Sequence, residues 1–373
     1  MRIGLLCAHN PHDRNAFSGT AHYAAAALRQ MAEAGRIAEF RVLGSHRAPR
    51  RGDRVLHGIG RRLGLAPGGP AFSSPADLGQ GLDWIVSLVS TGLLDRLGPR
   101  LLSPVAHVSD ATPQFLRDFY GQEVPAEKDA AEARVIARAG RVIYSSDYMR
   151  DRARAEFAPE FGPRMRAIPF GVNLDRLPLA PRPAARAPAP GAPVDLVFVG
   201  KDWARKGGPL ALGALACLRA EGIEARLTIA GCDPAEARGA PGVTVIPYLD
   251  KNDPAGARRF DAMLDAAHLF VLPTRADCTP MVVAEANAHS LPVLITATGG
   301  IGSLMVEGAN GRMLPPEAGP GAWAAAIRET LADPAAYARL RETSFAQYRD
   351  RLNWGAWAEA LVAELEAAPA RMA

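Results

Sequence analysis

Cysteine is scarce in this 373-residue sequence, and its four copies, Cys7, Cys217, Cys232 and Cys278, are scattered. They form no C-x-x-C pair and have no histidine at metal-ligand spacing, so neither a disulfide framework nor a zinc site is expected, and no metal ligands are assigned. Cys278 reads as a small apolar space-filler in preference to a nucleophile. Apolar runs of about 18 residues are lacking, which excludes a membrane-spanning helix. The opening MRIGLLCAHN has only a short apolar run, a pattern that fits a first β-strand and not a signal peptide; the cytoplasm is the expected compartment. A strong charge of one sign is missing as well. The formal net charge of +4 is too small to argue for a nucleic-acid partner. Finally, no G-x-G-x-x-G follows the first strand. The SGT at 18–20 is a weaker signal, and Gly19 there could serve only a tight turn.

What is present is a long alternation of strand and helix patterns. With 48% apolar residues the chain can bury ample core, and its length predicts two domains. Strands are expected at 2–8, 39–43, 83–89, 105–109, 141–144 and 165–170, and helices at 20–34, from Thr91, after Thr112-Pro113, at 125–139 and through Phe157. After PFGVN the chain turns rich in Pro and Ala with no hydrophobic period, which reads as an extended linker. Strands resume at 194–200, 225–231, 243–249, 269–272 and 293–297. Helical patterns cover 320–368 with breaks near Pro334 and Asn353. The expected domains are 1–173, a linker at 174–193, 194–350, and a final helix in 351–373.

Residues 45–80 interrupt the alternation with Arg47, Arg50, Arg51, Arg54, Arg61 and Arg62. A basic amphipathic insert could rest through 47–65 on an anionic membrane surface, here the inner face, or grip an acidic acceptor; a solvated surface loop is the equal alternative. Asp110 stands where strand 105–109 ends. An acid there can act in chemistry or cap the next turn. His107 reads as a core histidine satisfied by the backbone.

The organising stretch is LFVLPTRADCTPMVVAEANAHSLPV at 269–293. Asp277 and Glu285 lie eight positions apart across a strand-to-helix junction, where backbone N–H donors and a positive helix end favour a phosphate-bearing ligand. Lys201, Arg205 and Lys206 bring three cations to the same sheet edge. With helix starts at Gly208 and near Pro280, that edge suits a diphosphate whose growing charge on departure needs stabilising. Glu285 can accept from ribose hydroxyls and Asp277 from sugar hydroxyls, although structural caps have the same spacing.

These residues resemble a family. RKGG at 205–208, DCTPMVVAEA at 277–286, TGG at 298–300 with NG at 310–311, and IPFGVN at 168–173 look like the motifs of retaining glycosyltransferases of family 4, of the E-x7-E type. The resemblance implies a GT-B architecture: two Rossmann-like α/β domains with parallel sheets face across a cleft, and the helix around Trp354–Ala368 crosses back to the first. It implies that Lys206, with Lys201 or Arg205 and the backbone of Thr279, Pro280, Met281 and Val282, holds the donor diphosphate. Glu285 is placed on the ribose, Asp277 near the donor sugar, and Gly19 where the first domain approaches the reacting centre. The base is expected near Pro247–Leu249, at Tyr248 and Leu249. Three departures stand out: Asp277 replaces the usual Glu, Ser290 sits where Gly is common, and Ser109 occupies the place of an acceptor-side His. Asp110 or His107 would have to serve instead, so Lys206, Asp277 and Asp110 are the catalytic candidates.

The expected activity is transfer from a UDP- or GDP-sugar to a glycan, lipid-linked or small-molecule acceptor, with retention and no cofactor beyond the nucleotide sugar. Independence of metal is expected because the cations at 201–206 would neutralise the diphosphate where other folds use a divalent ion. The rivals are a nucleotide-sugar epimerase and a non-catalytic sugar- or nucleotide-binding protein of the same fold.

Overall fold

The computed structural model describes residues 1–368 apart from 15, 47–69, 158, 176–177, 179, 182–186, 190 and 251–252. The possible membrane segment at 47–65 therefore lies outside the described residues. The chain divides into two compact units, one made of Met1–Asn173 with the C-terminal helix, the other of Leu174–Asn353.

In the first unit, strands β1 (Arg2–Cys7), β2 (Glu39–Val42), β3 (Trp84–Leu88), β4 (Val105–Ser109), β5 (Arg141–Tyr144) and β6 (Met165–Ala167) form one parallel sheet in the order 2-1-3-4-5-6. Helices α1 (Thr20–Glu33), α2 (Thr91–Leu97), α3 (Pro113–Tyr120), α4 (Glu127–Arg138) and α5 (Asp147–Phe157) follow β1, β3, β4 and β5 in chain order, α3 and α4 both after β4. The second unit repeats the plan with β7 (Val194–Val199), β8 (Ala225–Ala230), β9 (Val243–Ile246), β10 (Leu269–Leu272), β11 (Val293–Thr296) and β12 (Gly311–Leu314), in the order 12-11-10-7-8-9. Its helices are α6 (Gly208–Ala220), α7 (Pro254–Ala266), α8 (Met281–Ala288), α9 (Pro320–Ala332) and α10 (Pro334–Asp350); α11 (Trp354–Glu366) returns to the first unit and packs on α1.

The central strands are short apolar runs because parallel strands are covered on both faces. LFVL in β10 and VLIT in β11 are buried throughout. Helix breaks follow from capping chemistry. Asp333 ends α9, and its carboxylate accepts from the N–H groups of Ala335 and Ala336 to start α10, with Pro334 in the first helical position. The strand expected to reach Leu249 stops at Ile246, ahead of Pro247, which has no N–H for the ladder. One strand was not expected: GRML of β12 carries no strand pattern of its own and is ordered by pairing with β11.

Strand order fixes where a ligand can sit. In the second unit the chain runs from β7 outward through β8 and β9, then returns to the other side of β7 as β10. The loops after β7 and β10 therefore diverge at a topological switch point, where open α/β sheets bind ligands. In the first unit the corresponding point lies between β1 and β3.

Candidate active site

The loops after β7 and β10 are KDWARKGG and PTRADCTP, and the fold laces them together. Arg275 N–H donates to the Arg205 carbonyl at 2.8 Å, and the Arg205 guanidinium donates to the Ala276 carbonyl at 2.7 Å. The loop after β11 joins them: Gly300 N–H donates to the Asp277 carbonyl at 3.1 Å. TGG thus supports the turn that carries Asp277.

Within this lacing the Lys206 ammonium donates to Asp277 Oδ2, and Arg205 Nη1 lies 3.9 Å from the same oxygen. Both partners of the closer pair are largely withdrawn from water, with side-chain exposures of 13% and 7%. Desolvating such ions is costly unless they are paired, so each holds the other in place. Lys201 is exposed on the same loop, and Arg205 also reaches Asp202 at 3.2 Å.

The glycines of RKGG make room for the protein itself. Gly207 has φ +77°, and a Cβ there would fall 1.7 Å from the Pro273 carbonyl oxygen; one on Gly208 would fall 1.9 Å from the Trp203 ring. The start of α6 is also less open to an anion than its sequence suggests. Gly208 N–H donates to the Trp203 carbonyl, Pro209 has no N–H, and Leu210 N–H donates to Gly207. Side-chain cations, not helix-end donors, dominate this loop. The start of α8 is different: Met281 and Val282 are the first two residues of the helix, whose N–H groups no carbonyl of the helix can accept. Both are half-buried, Thr279 likewise, and Pro280 is buried at the N-cap. Glu285, fifth in the helix, is 2% exposed.

Ser290, where Gly is common, has a backbone role. Its φ of +55° places it in the left-handed conformation that ends α8, and Leu291 N–H reaches back to the Ala286 carbonyl at 2.9 Å. Glycine is favoured there because it adopts this backbone without strain. In NG, Asn310 ties Asn287 and the Leu304 carbonyl together, and Gly311 avoids the Val293 carbonyl, 1.8 Å from where a Cβ would lie. Tyr248 and Leu249 follow the edge strand β9, Tyr248 being 53% exposed.

In the first unit, Gly19 caps α1 with φ +93° and follows two non-glycine residues that are also left-handed, Phe17 (+48°) and Ser18 (+58°). Asn173 Nδ2 donates to the Ser18 carbonyl at 2.9 Å, while Asn173 Oδ1 accepts from Trp354 Nε1 at 2.8 Å. This strained turn, at the switch point beside β1, was not foreseen beyond Gly19 itself. Asp110 is half-buried at the end of β4, and Thr112, not Asp110, caps α3.

His107 needs a correction. Its partner is not the backbone: Nε2 meets Glu132 Oε1 at 3.1 Å with both side chains buried. Thr91 and Tyr144 hydroxyls also donate to Glu132. Burial alone would raise the Glu132 carboxyl, but His107 and these hydrogen bonds bring it below its usual range. Held in this network, with no exposure, His107 is removed from any acceptor-side role. Cys278 is buried, as expected of a space-filler. Among the described residues no group of three or more His, Cys, Asp or Glu side chains is arranged to hold a metal.

Residues 193–333 match the family model described as Glycosyl transferases group 1. The chain is 27% identical over 281 residues to glycogen synthase of Mycobacterium tuberculosis, covering 73% of this chain and 64% of that protein. Identity to D-inositol 3-phosphate glycosyltransferase of Streptomyces avermitilis is 27% over 252 residues, covering 63% and 53%. The chain thus spans less than two thirds of the length of these curated relatives. Among solved structures, sucrose-phosphate synthase of Thermosynechococcus elongatus superposes with a TM-score of 0.68 at 18% identity, covering 99% and 100% of the chains. Anabaena Alr3699/HepE, solved with UDP and glucose, gives 0.65 at 12%, covering 98% and 100%. The fold is the two-domain Rossmann-like GT-B fold of glycosyltransferases. The matched residues 193–333 fall within the second unit and include the laced loops.

Proposed function

We propose that this chain is a metal-independent, retaining glycosyltransferase of family 4 that moves a sugar from a UDP- or GDP-sugar to a glycan, lipid-linked or small-molecule acceptor. The observation that carries the proposal is the convergence of Lys206 and Arg205 on Asp277 at the switch point of the second sheet. Lys206 and Arg205, with the first N–H groups of α8, hold the diphosphate; Glu285 takes the ribose and Asp277 the donor sugar. The bond between the anomeric carbon and the phosphate oxygen breaks with oxocarbenium character. The acceptor oxygen attacks from the same face, and its proton passes to the departing phosphate. Charge on the leaving group is stabilised by cations already in place, the term that dominates many enzymes' rate enhancement.

The test begins with a thermal-shift screen of nucleotide sugars. Turnover of any hit is then measured with glycogen and with D-inositol 3-phosphate, products being analysed by NMR for anomeric configuration, with and without EDTA. Transfer with retention in EDTA is expected. Free sugar released without acceptor would support the epimerase-like rival, and binding without turnover the non-catalytic one. A strict metal requirement would remove the metal-free element.

A further inference from the structure

The Trp203 indole occupies the space that a Cβ on Gly208 would take, 1.9 Å from the nearest ring carbon, and meets Phe198 of β7 edge-on at 5.3 Å. Its Nε1 donates to Glu236 Oε1, in the short turn Ala235–Ala237 that follows β8. The backbone of the same residue holds the helix start, since the Trp203 carbonyl accepts from Gly208 N–H at 2.9 Å. Lys206 lies inside the turn so closed. Its N–H donates to the Asp202 carbonyl at 3.0 Å, and its stem lies against Gly200, where a Cβ would fall 3.0 Å from Lys206 Cγ. The indole is thus tied to the turn at both its ring and its backbone.

We propose that Trp203 and Glu236 are positioning residues for Lys206: the hydrogen bond from indole to carboxylate anchors the loop after β7 to the loop after β8, and so sets the ammonium where a nucleoside diphosphate is gripped. Glu236 is exposed and carries the anchor from the turn after β8. This inference rests on the reading of Lys206 as a diphosphate ligand, and the experiment separates the two.

The wild-type chain and the variants Glu236→Ala, Glu236→Gln, Trp203→Phe and Lys206→Gln are titrated with UDP, and with GDP if UDP gives no heat, by calorimetry. Both Kd and the number of sites are read. Glu236→Ala and Trp203→Phe are expected to weaken Kd by roughly tenfold at unchanged site number. Glu236→Gln, which keeps an oxygen acceptor, is expected to stay within about twofold. A merely structural role would reduce melting temperature or site number and leave Kd alone, and that result overturns the proposal, as does a wild-type Kd in Glu236→Ala. If Lys206→Gln binds as wild type does, or wild type binds neither nucleotide, the diphosphate reading itself fails and the positioning role fails with it. Weak binding by Lys206→Gln beside intact binding by Glu236→Ala overturns only the anchor.

Discussion

Lys206 and Asp277, 71 positions apart in sequence, are ion-paired. A donor diphosphate would therefore compete with Asp277 for the ammonium. The pair also means that removing the lysine alone strands a buried carboxylate, which costs about 3–5 kcal/mol when no other partner compensates. Arg205 at 3.9 Å offsets part of that. A Lys206→Ala protein is thus expected to be destabilised as well as inactive, and Lys206→Gln, which retains a donor, separates the two effects.

Asp277→Asn removes the negative charge that competes for the ammonium without emptying the space. UDP affinity is expected to rise by roughly threefold to tenfold, the scale of a partly screened ion pair given up. Turnover of the nucleotide sugar is expected to fall by about 10² if the carboxylate acts on the donor sugar. Calorimetry and initial rates on one preparation check both; unchanged UDP affinity would mean that the pair does not oppose the ligand.

Gly207→Ala places a methyl 1.7 Å from the Pro273 carbonyl and forces a left-handed alanine, so the loops after β7 and β10 must separate. The expected destabilisation is about 2–5 kcal/mol from backbone and overpacking costs together. Gly208→Ala meets a side chain that can swing away, and its loss should be smaller. Urea midpoints rank the two.

Ser290→Gly runs the other way. It relieves a left-handed residue at the end of α8 and is expected to stabilise by about 1 kcal/mol, seen as a higher urea midpoint at unchanged m. A lower midpoint would show that the serine side chain contributes more than its backbone costs.

The fold was legible because buried parallel strands write themselves as short apolar runs, LFVL and VDLVFV among them, and because Pro334 and Asn353 punctuate the last helices. The two acidic positions and the cationic loop were legible from spacing at strand ends. What escaped was contact between residues distant in sequence. Nothing in KDWARKGG says that Trp203 lies on Gly208 or reaches Glu236, 33 positions on. The sequence suggests a backbone partner for His107 because Glu132 lies 25 residues away on a helix whose pairing no local pattern reveals. Strand β12 and the conformation of Ser290 are likewise set by neighbours.

His289 is buried at the end of α8 with Nδ1 2.7 Å from Asp265 and Nε2 3.5 Å from Asp261. Burial pulls its pKa down, but the two carboxylates outweigh burial and raise it. The folded protein therefore holds this proton above the pH at which an unfolded histidine, near about 6.5, releases it. The stabilisation is fully present below that pH and is lost as pH rises through the raised folded value. Subtracting the melting profile of His289→Asn from that of wild type should show a difference that shrinks on the alkaline side of about pH 6.5. A flat difference across that window would mean that the imidazole is neutral in the fold.

The turn Phe17–Ser18–Gly19 places two consecutive non-glycine residues in the left-handed region, and such residues, at about 1–3 kcal/mol each, persist only where surroundings hold them. Asn173, the last residue of PFGVN, supplies that hold through the Ser18 carbonyl, and Trp354 of α11 orients the amide through Oδ1 while stacking on Phe170 at 5.5 Å. The return of the C-terminal helix thus fixes a turn at the switch point of the first sheet. Asn173→Ala removes both hydrogen bonds and leaves the Trp354 indole donor buried, at a cost of about 1–3 kcal/mol. Trp354→Phe keeps the stacking but leaves Asn173 Oδ1 without its donor, and a smaller loss is expected. Hydrogen exchange separates this local effect from general destabilisation. Amides at 16–20 should exchange faster in Asn173→Ala, those of β3 and β4 should not, and activity should fall with the turn's protection. If the turn stays as protected as in wild type, its conformation is held by the loop's own packing, with His9 stacked on Phe17 at 4.9 Å, and not by Asn173.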